Sequence, residues 1–458
     1  LPGNPDAARD ATRVLGRFVA ETAPTDLPQD LLHLAKLRLI DTIGAMLVGA
    51  GRPWSLAVAD HSAAMGGGPC TVVRSPQRCS PPMAALANGN MAHADELDDV
   101  HDQALSHPGA VVVPAALAVA EARGSSGADL LAAIVLGYEL TARAGVGVGA
   151  VSHMLRGFYP TGTGGVFGAT AAAGKLLGLD PHELAQAFGI AGSFAGGIVE
   201  YAQSGGAVKW LHAGRAAEGG VTAAYLARNG FTGPTTVLEG RFGFCKVFSD
   251  APEPERLLNG LGSEFAIRVV AVKPYACCSD MHPVIDALLQ LRSVQGITID
   301  DVSHVEVGGP VKLVELNDLD GTRSILAAKY SVPLTAGIAL SRDIRDPWLY
   351  DDRLLTDETL RSFQDRVRLS VAQDINAVYP RVIAARVTVE TKDGRVMSAE
   401  CLGALGTVHR PLSEAQILEK FRINAGPVIT QERAEEIVDR VQALEREPHI
   451  DRLTSILY

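Results

Sequence analysis

Aromatic residues make up only 5% of this 458-residue chain, and charged residues only 20%. With so few rings, the interior must be filled by aliphatic and small side chains. A hydrophobic content of 47% supplies ample material and rules out a disordered chain. Basic charge is also short. Lys and Arg total 41 against 52 Asp and Glu, a net charge of −11. That balance argues against nucleic acid or an anionic membrane as a partner, although a local pair of lysines could still hold an anionic small molecule. The six cysteines include no CxxC pair, and the adjacent Cys277 and Cys278 make a poor start for a disulfide framework. A reduced, cytoplasmic setting is therefore expected. No run of about eighteen apolar residues lacks charges or helix breakers, so no membrane span is expected. The opening LPGNPDAARDATR has no basic stretch leading into an apolar one, so no signal peptide is expected either.

A chain of this length should hold two domains, or one large domain with an insertion. Residues 1–10 read as an arm. Apolar residues at helical spacing follow from Ala11, from Pro28 into DTIGAMLVGA, from Met83 to His93, and over 114–122, 128–144, 167–177 and 212–229. Asp41, inside one of these apolar stretches, reads as a satisfied buried carboxylate. Asp180-Pro181-His182-Glu183 has the form of a capping box opening a helix. A short strand is expected at 71–73. From residue 268 the pattern turns to strands at 267–272, 302–307, 382–391 and 396–401, with helices at 282–292 and 334–340 between them. Helical patterning returns at 413–421 and 431–443. The expected fold is mainly α. A large all-helical domain (1–267 and 404–458) is interrupted by a smaller α+β domain (268–403).

The densest chemistry lies in NGNMAHADELDDVHDQALSHPGAVVVP, residues 88–114. His93, Asp95, Glu96, Asp98, Asp99, His101, Asp102 and His107 crowd into fifteen residues. A run that must be buried follows at once, which makes the stretch one wall of an active site rather than a solvated loop. His107, fixed by Pro108-Gly109, is suited to take a proton near neutral pH. The acids at 95–99 could orient a histidine, hold a hydroxyl or act as a general acid. Zinc at His93, Asp95, His101 and His107 is the competing idea, but no HExxH or Cys-rich companion appears, so no metal is expected.

Gly162-Thr163-Gly164-Gly165 superficially resembles a dinucleotide fingerprint, but no strand precedes it. Its amides, read as a turn opening a helix, could bind a carboxylate. Lys209 and Lys273 sit in apolar settings where a lysine either snorkels or meets an anion. Cys277-Cys278 before His282 invites a thiol nucleophile, although a free Cys is more often a small buried residue.

Taken in order along nearly the whole chain, several segments resemble the MmgE/PrpD family of 2-methylcitrate dehydratase, cis-aconitate decarboxylase and iminodisuccinate epimerase. They are Asp41-Thr42-Ile43-Gly44, Asn88-Gly89 through Asp98-Asp99, His107-Pro108, Gly162-Thr163, Lys209 with Leu211-His212, Gly230-Phe231-Thr232-Gly233-Pro234, and Lys273-Pro274-Tyr275 through His282-Pro283. The resemblance implies a helical domain, a smaller lid domain, a homodimer, and a cofactor-independent site between the domains that takes small carboxylates. It places the family's acid at Asp95 or Glu96, its histidine at His107, its lysines at Lys209 and Lys273, and a further histidine at His282. Gly162, Thr163 and Cys278 join the lysines as substrate contacts. Val100, Tyr159 and Leu334 stand where members often have a hydroxyl residue, a histidine and a tyrosine. Tyr159 is expected to replace that histidine through its phenol. The leading expectation is dehydration of a 2-methylcitrate-like acid, with epimerisation or decarboxylation next.

Overall fold

The computed structural model describes residues 9–379 and 381–458; most of the arm expected at 1–10 lies outside them. The chain divides into two compact units. The first comprises the chain up to Ala94, Asp98–Ala271 and Ile417–Tyr458; the second comprises Asp95–Leu97 and Val272–Gln416. The divisions thus fall at Ala271/Val272 and Gln416/Ile417, and three residues of the acidic stretch go with the second unit.

The first unit is helical, and proline and glycine mark out its helices. Pro81–His93, Pro108–Arg123, Pro160–Leu177 and Pro181–Gly192 all carry Pro in the first turn, where its missing N–H costs nothing. Asp180 caps the last of these as expected: it accepts from the His182 and Glu183 amides while Glu183 reaches back. Gly124 and Gly178 end two helices at φ 60° and 70°, a left-handed conformation that glycine adopts without cost. Pro160–Leu177 lies at the centre, packed on Gly127–Gly147, Pro108–Arg123 and Val208–Arg228.

The glycines from Gly162 to Gly168 do not form a turn; all lie within Pro160–Leu177. A Cβ on Gly168 would stand 1.9 Å from Thr141 Oγ1 and 2.5 Å from the Gly137 carbonyl oxygen. These glycines let helices meet backbone to backbone. That agrees with the close helix packing expected of an Ala/Gly-rich stretch and corrects the anion-binding turn.

Among the described residues one helix, Gly127–Gly147, is long and apolar enough to cross a bilayer by length and composition, although it carries Asp129, Glu139 and Arg143. Its apolar window is 94% buried inside the protein, the position of a core helix. The expected strand at 71–73 is displaced: β1 (Gly67–Thr71) pairs antiparallel with β2 (Arg78–Cys79). The strand expected at 267–272 is absent. A 3₁₀ turn, Ala266–Val269, stands there, followed by a single bridge from Ala271 to Val100. Apolar alternation alone could not show that no neighbouring strand is available to pair with it.

The second unit is built on a four-stranded sheet in the order β4-β3-β5-β6. Its strands are β3 (Val302–Gly309), β4 (Val367–Val371), β5 (Ala384–Thr391) and β6 (Val396–Leu402). β3 runs parallel to β4 and antiparallel to β5. Val305 and Val307 face Val389 and Val387 across the ladder and are all buried. Helix His282–Gln295 packs on β5 and β6. β4 was not foreseen. Its sequence, VRLSV, alternates over only five residues, and its partner lies about sixty positions away.

Candidate active site

Three helix ends deliver the polar centre of the first unit. His93 is the last residue of Pro81–His93, His107 caps Pro108–Arg123, and Tyr159 caps Pro160–Leu177. Asp98 joins them. Its Oδ2 lies 2.6 Å from His93 Nδ1 and 3.2 Å from His107 Nδ1. On its other side, the His93 ring places Nε2 2.8 Å from the Tyr159 phenol oxygen. The two imidazoles meet edge to face, 4.9 Å between centroids. The His93 and Asp98 side chains are fully buried, while His107 keeps 13% exposure. Burial works to raise the Asp98 carboxyl, but the imidazoles of His93 and then His107 outweigh it and hold the group well below the usual carboxylate range.

The neighbouring acid behaves oppositely. Asp99 accepts from the Tyr138 phenol at 2.6 Å and from the Gly109 amide at 2.8 Å. Burial pushes its carboxyl up to about 7, against the pull of Arg38 and the Tyr138 hydrogen bond. Adjacent carboxyls are thus set apart by their surroundings, one fully ionised and one poised near neutrality.

Lys209 lies buried in the first turn of Val208–Arg228, beside Trp210, whose ring stacks on Trp54 at 4.2 Å. His212, on the same helix, faces the Tyr159 and Tyr201 rings at 5.5 and 6.0 Å. Burial, then His93 and Lys209, lower its imidazole to about 4. His212, Arg215, Gly162, Gly196 and Gly197 help line a cavity of about 380 Å³. Gly162 therefore reaches this cavity. Thr163 does not, because its hydroxyl bonds to His153 Nε2 at 2.7 Å and to the Tyr159 carbonyl.

The remaining expected site residues lie in the second unit. Lys329 Nζ donates to the Asp95 carbonyl oxygen at 2.9 Å and to its Oδ1 at 3.0 Å, and sits 4.4 Å above the Tyr350 ring. Glu96, buried, holds φ at 56°, a left-handed conformation uncommon for a side chain of this size. Its Oε2 is 3.6 Å from Lys273 Nζ. The Cys278 amide donates to the Lys329 carbonyl oxygen, and its thiol faces Asp280, itself paired with Lys312 at 2.8 Å. Burial, then Asp280, push the Cys278 thiol up to about 11, which removes the thiolate a nucleophile needs. His282 opens helix His282–Gln295 as expected. Its ring lies against Tyr275, with Nε2 3.3 Å from the Cys277 carbonyl oxygen.

The sequence gives His93 a role only in the competing zinc set and Asp98 one only among the acids at 95–99, and it gives Lys329 none. The acids at 95–99 were expected to be able to orient a histidine, and Asp98 does so. Nothing in AAKYS marks Lys329. The zinc set considered from sequence is not assembled, since Asp95 is tied to Lys329 and the His101 ring accepts from the Ala104 amide. His93, Asp98 and His107 bring one ligating atom each within 4.8 Å, close enough to share an ion. The 2.6 Å His93–Asp98 contact is already a hydrogen bond, and His107 Nδ1 stands at ion-pair distance from the same oxygen.

An ionised buried carboxylate between two imidazoles, one of them reaching solvent, is the equipment of an acid–base enzyme. The MmgE/PrpD N-terminal domain model matches residues 13–257, and the C-terminal domain model matches residues 275–446. A cis-aconitate decarboxylase of Aspergillus terreus is 30% identical over 99% of this chain and 96% of its own length. The human cis-aconitate decarboxylase is 26% identical, covering 94% of this chain and 91% of its own length. The chain belongs to the MmgE/PrpD family and is an enzyme of that family.

Proposed function

We propose that this protein is a cofactor-independent lyase that decarboxylates a small unsaturated tricarboxylate of the cis-aconitate type. The observation that carries this reading is the His107 imidazole, fixed by buried Asp98 through Nδ1 and still partly open to solvent. A carboxylate at Nδ1 makes Nε2 the nitrogen that gains or loses a proton. Loss of CO₂ leaves an electron pair that must be protonated on a carbon next to a remaining carboxylate. Lys209, buried in the first unit, is the proposed carboxylate binder there. In the second unit Lys273 has the same proposed role, with Glu96 holding its ammonium and Asp95 fixed by Lys329. Buried ammonium groups also stabilise negative charge as it develops. Decarboxylation is placed ahead of 2-methylcitrate dehydration because relatives that match this chain over nearly its whole length are named cis-aconitate decarboxylases. Dehydration and epimerisation use the same proton handling and are the alternatives.

The test is proton NMR in D₂O with cis-aconitate, 2-methylcitrate and related di- and tricarboxylates. Expected is CO₂ release from cis-aconitate, with one deuterium in the product on a carbon next to a carboxylate. His107→Ala should lower kcat by about 100-fold or more, the usual contribution of a general acid–base group. Equal turnover by His107→Ala would remove His107 from the role. Water loss from 2-methylcitrate, with cis-aconitate left intact, would move the assignment to dehydration.

A further inference from the structure

We propose that His93 and Asp98 act as positioning residues that make Tyr159 a second proton-delivering group, so that Tyr159, His93, Asp98 and His107 work as one relay. This rests on the decarboxylase reading for its substrate, but its geometry stands alone. An ionised carboxylate only accepts hydrogen bonds, and both imidazoles present Nδ1 to the same Asp98 oxygen. His93 Nδ1 therefore carries the hydrogen of its 2.6 Å bond, which leaves His93 Nε2 to exchange a proton with the Tyr159 oxygen 2.8 Å away, while His107 Nδ1 faces the same Asp98 oxygen at ion-pair distance.

One carboxylate charge offsets one imidazolium: a proton on fully buried His93 depends on Asp98 alone, and a proton on His107, which keeps 13% exposure, draws on the same anion. Among the described residues, the charged and titratable groups facing His93 include Asp98, His107, Tyr159 and, through space, His212 with Lys209 beyond it. When the extra proton sits on His93, Nε2–H donates to the Tyr159 oxygen, and the phenol hydrogen can go to the reacting molecule. When it sits on His107, His93 accepts the phenol hydrogen instead. Donor capacity at Tyr159 and protonation at His107 therefore alternate through one shared anion.

In the delivering step the C–CO₂ bond breaks and leaves its electron pair on the substrate. The Tyr159 O–H hydrogen moves to the carbon carrying that pair, and the His93 Nε2 hydrogen moves to the Tyr159 oxygen. His93 ends as neutral imidazole, Tyr159 as phenol, and Asp98 as carboxylate. A proton from water then restores the imidazolium.

The test is a double-mutant cycle on the full chain, reading kcat and KM for cis-aconitate. Tyr159→Phe and His93→Gln should each lower kcat about 100-fold with KM within about threefold, and the double variant should be no slower than the worse single one. Multiplied losses, or a His93→Gln enzyme with wild-type kcat, overturn the relay. So does activity abolished by a chelator and restored by a divalent ion, which would give the same atoms to a metal. Nitrogen-15 NMR of the imidazoles supplies a readout independent of turnover. His93 should show a protonated Nδ1, and a bare His93 Nδ1 overturns the relay whatever the substrate. A wild-type protein that leaves every carboxylate unchanged overturns the decarboxylase reading and leaves this spectrum to decide the relay.

Discussion

His107 takes its carboxylate from Asp98, while Asp95 and Glu96, only three and two positions earlier, are tied to lysines of the second unit. At the scale of single residues, surroundings set behaviour more than residue type does. His93, His107 and His212 are all imidazoles near Tyr159 or Asp98, yet His212 lacks a carboxylate at hydrogen-bonding distance and is depressed to about 4 by burial and nearby positive charge. This has a sign that can be checked. A His that titrates near 6.5 in the unfolded chain and near 4 in the folded one binds its proton first when unfolded. Its contribution therefore falls as pH drops from about 6.5 towards 4 and is constant above that window. The melting temperature of the wild type minus that of His212→Gln should fall by a few degrees over this range. A difference that stays flat, or rises on acidification, would show that the ring titrates normally.

At the scale of elements, the Ala/Gly-rich helices derive their geometry from the absence of side chains. Pro160–Leu177 offers an internal comparison. A Cβ on Gly168 would collide with Thr141 and the Gly137 carbonyl, whereas one on Gly164 would find nothing closer than 3.6 Å. Gly168→Ala should therefore destabilise the protein by about 1–3 kcal/mol through overpacking against Gly127–Gly147. Gly164→Ala should be neutral or stabilising by up to about 1 kcal/mol, because alanine loses less backbone freedom in a helix. Urea melts of the two variants decide it, and equal effects would show that the crossing is looser than described. The composition of this helix was legible in the sequence; which glycine meets the neighbouring backbone was not, because that depends on the crossing point.

At the scale of the molecule, the first unit is completed by the end of the chain. Phe421, Ile437, Val441, Leu444 and Leu453 are buried in its core, and a Cβ on Gly127 would lie only 1.8 Å from the Leu444 carbonyl oxygen. Lys420 meets Asp41 at 2.6 Å across 379 positions of sequence, which supplies the partner expected for that buried carboxylate. Deleting 417–458 removes that packing, opens the core of the first unit to solvent and takes away the ammonium that pairs with Asp41. The truncated chain should fail to give a cooperative thermal transition by circular dichroism. A wild-type-like melt would show that these helices are peripheral.

The sequence by itself determined the helices, the α+β segment, the family and the crowded stretch at 88–114. Each of these rests on local periodicity, turn chemistry or ordered motifs, which survive without knowledge of the fold. It also marked His107 and Tyr159 as candidate site residues. The tertiary structure decided which acid serves which base. Asp95, Glu96 and Asp98 are interchangeable as letters in one short segment, and only the course of the backbone, with Glu96 at φ 56°, sends two of them to Lys329 and Lys273 and the third to His93 and His107. Sequence spacing fixes how far apart two side chains can be, whereas hydrogen bonds a few ångströms long depend on which way each one points.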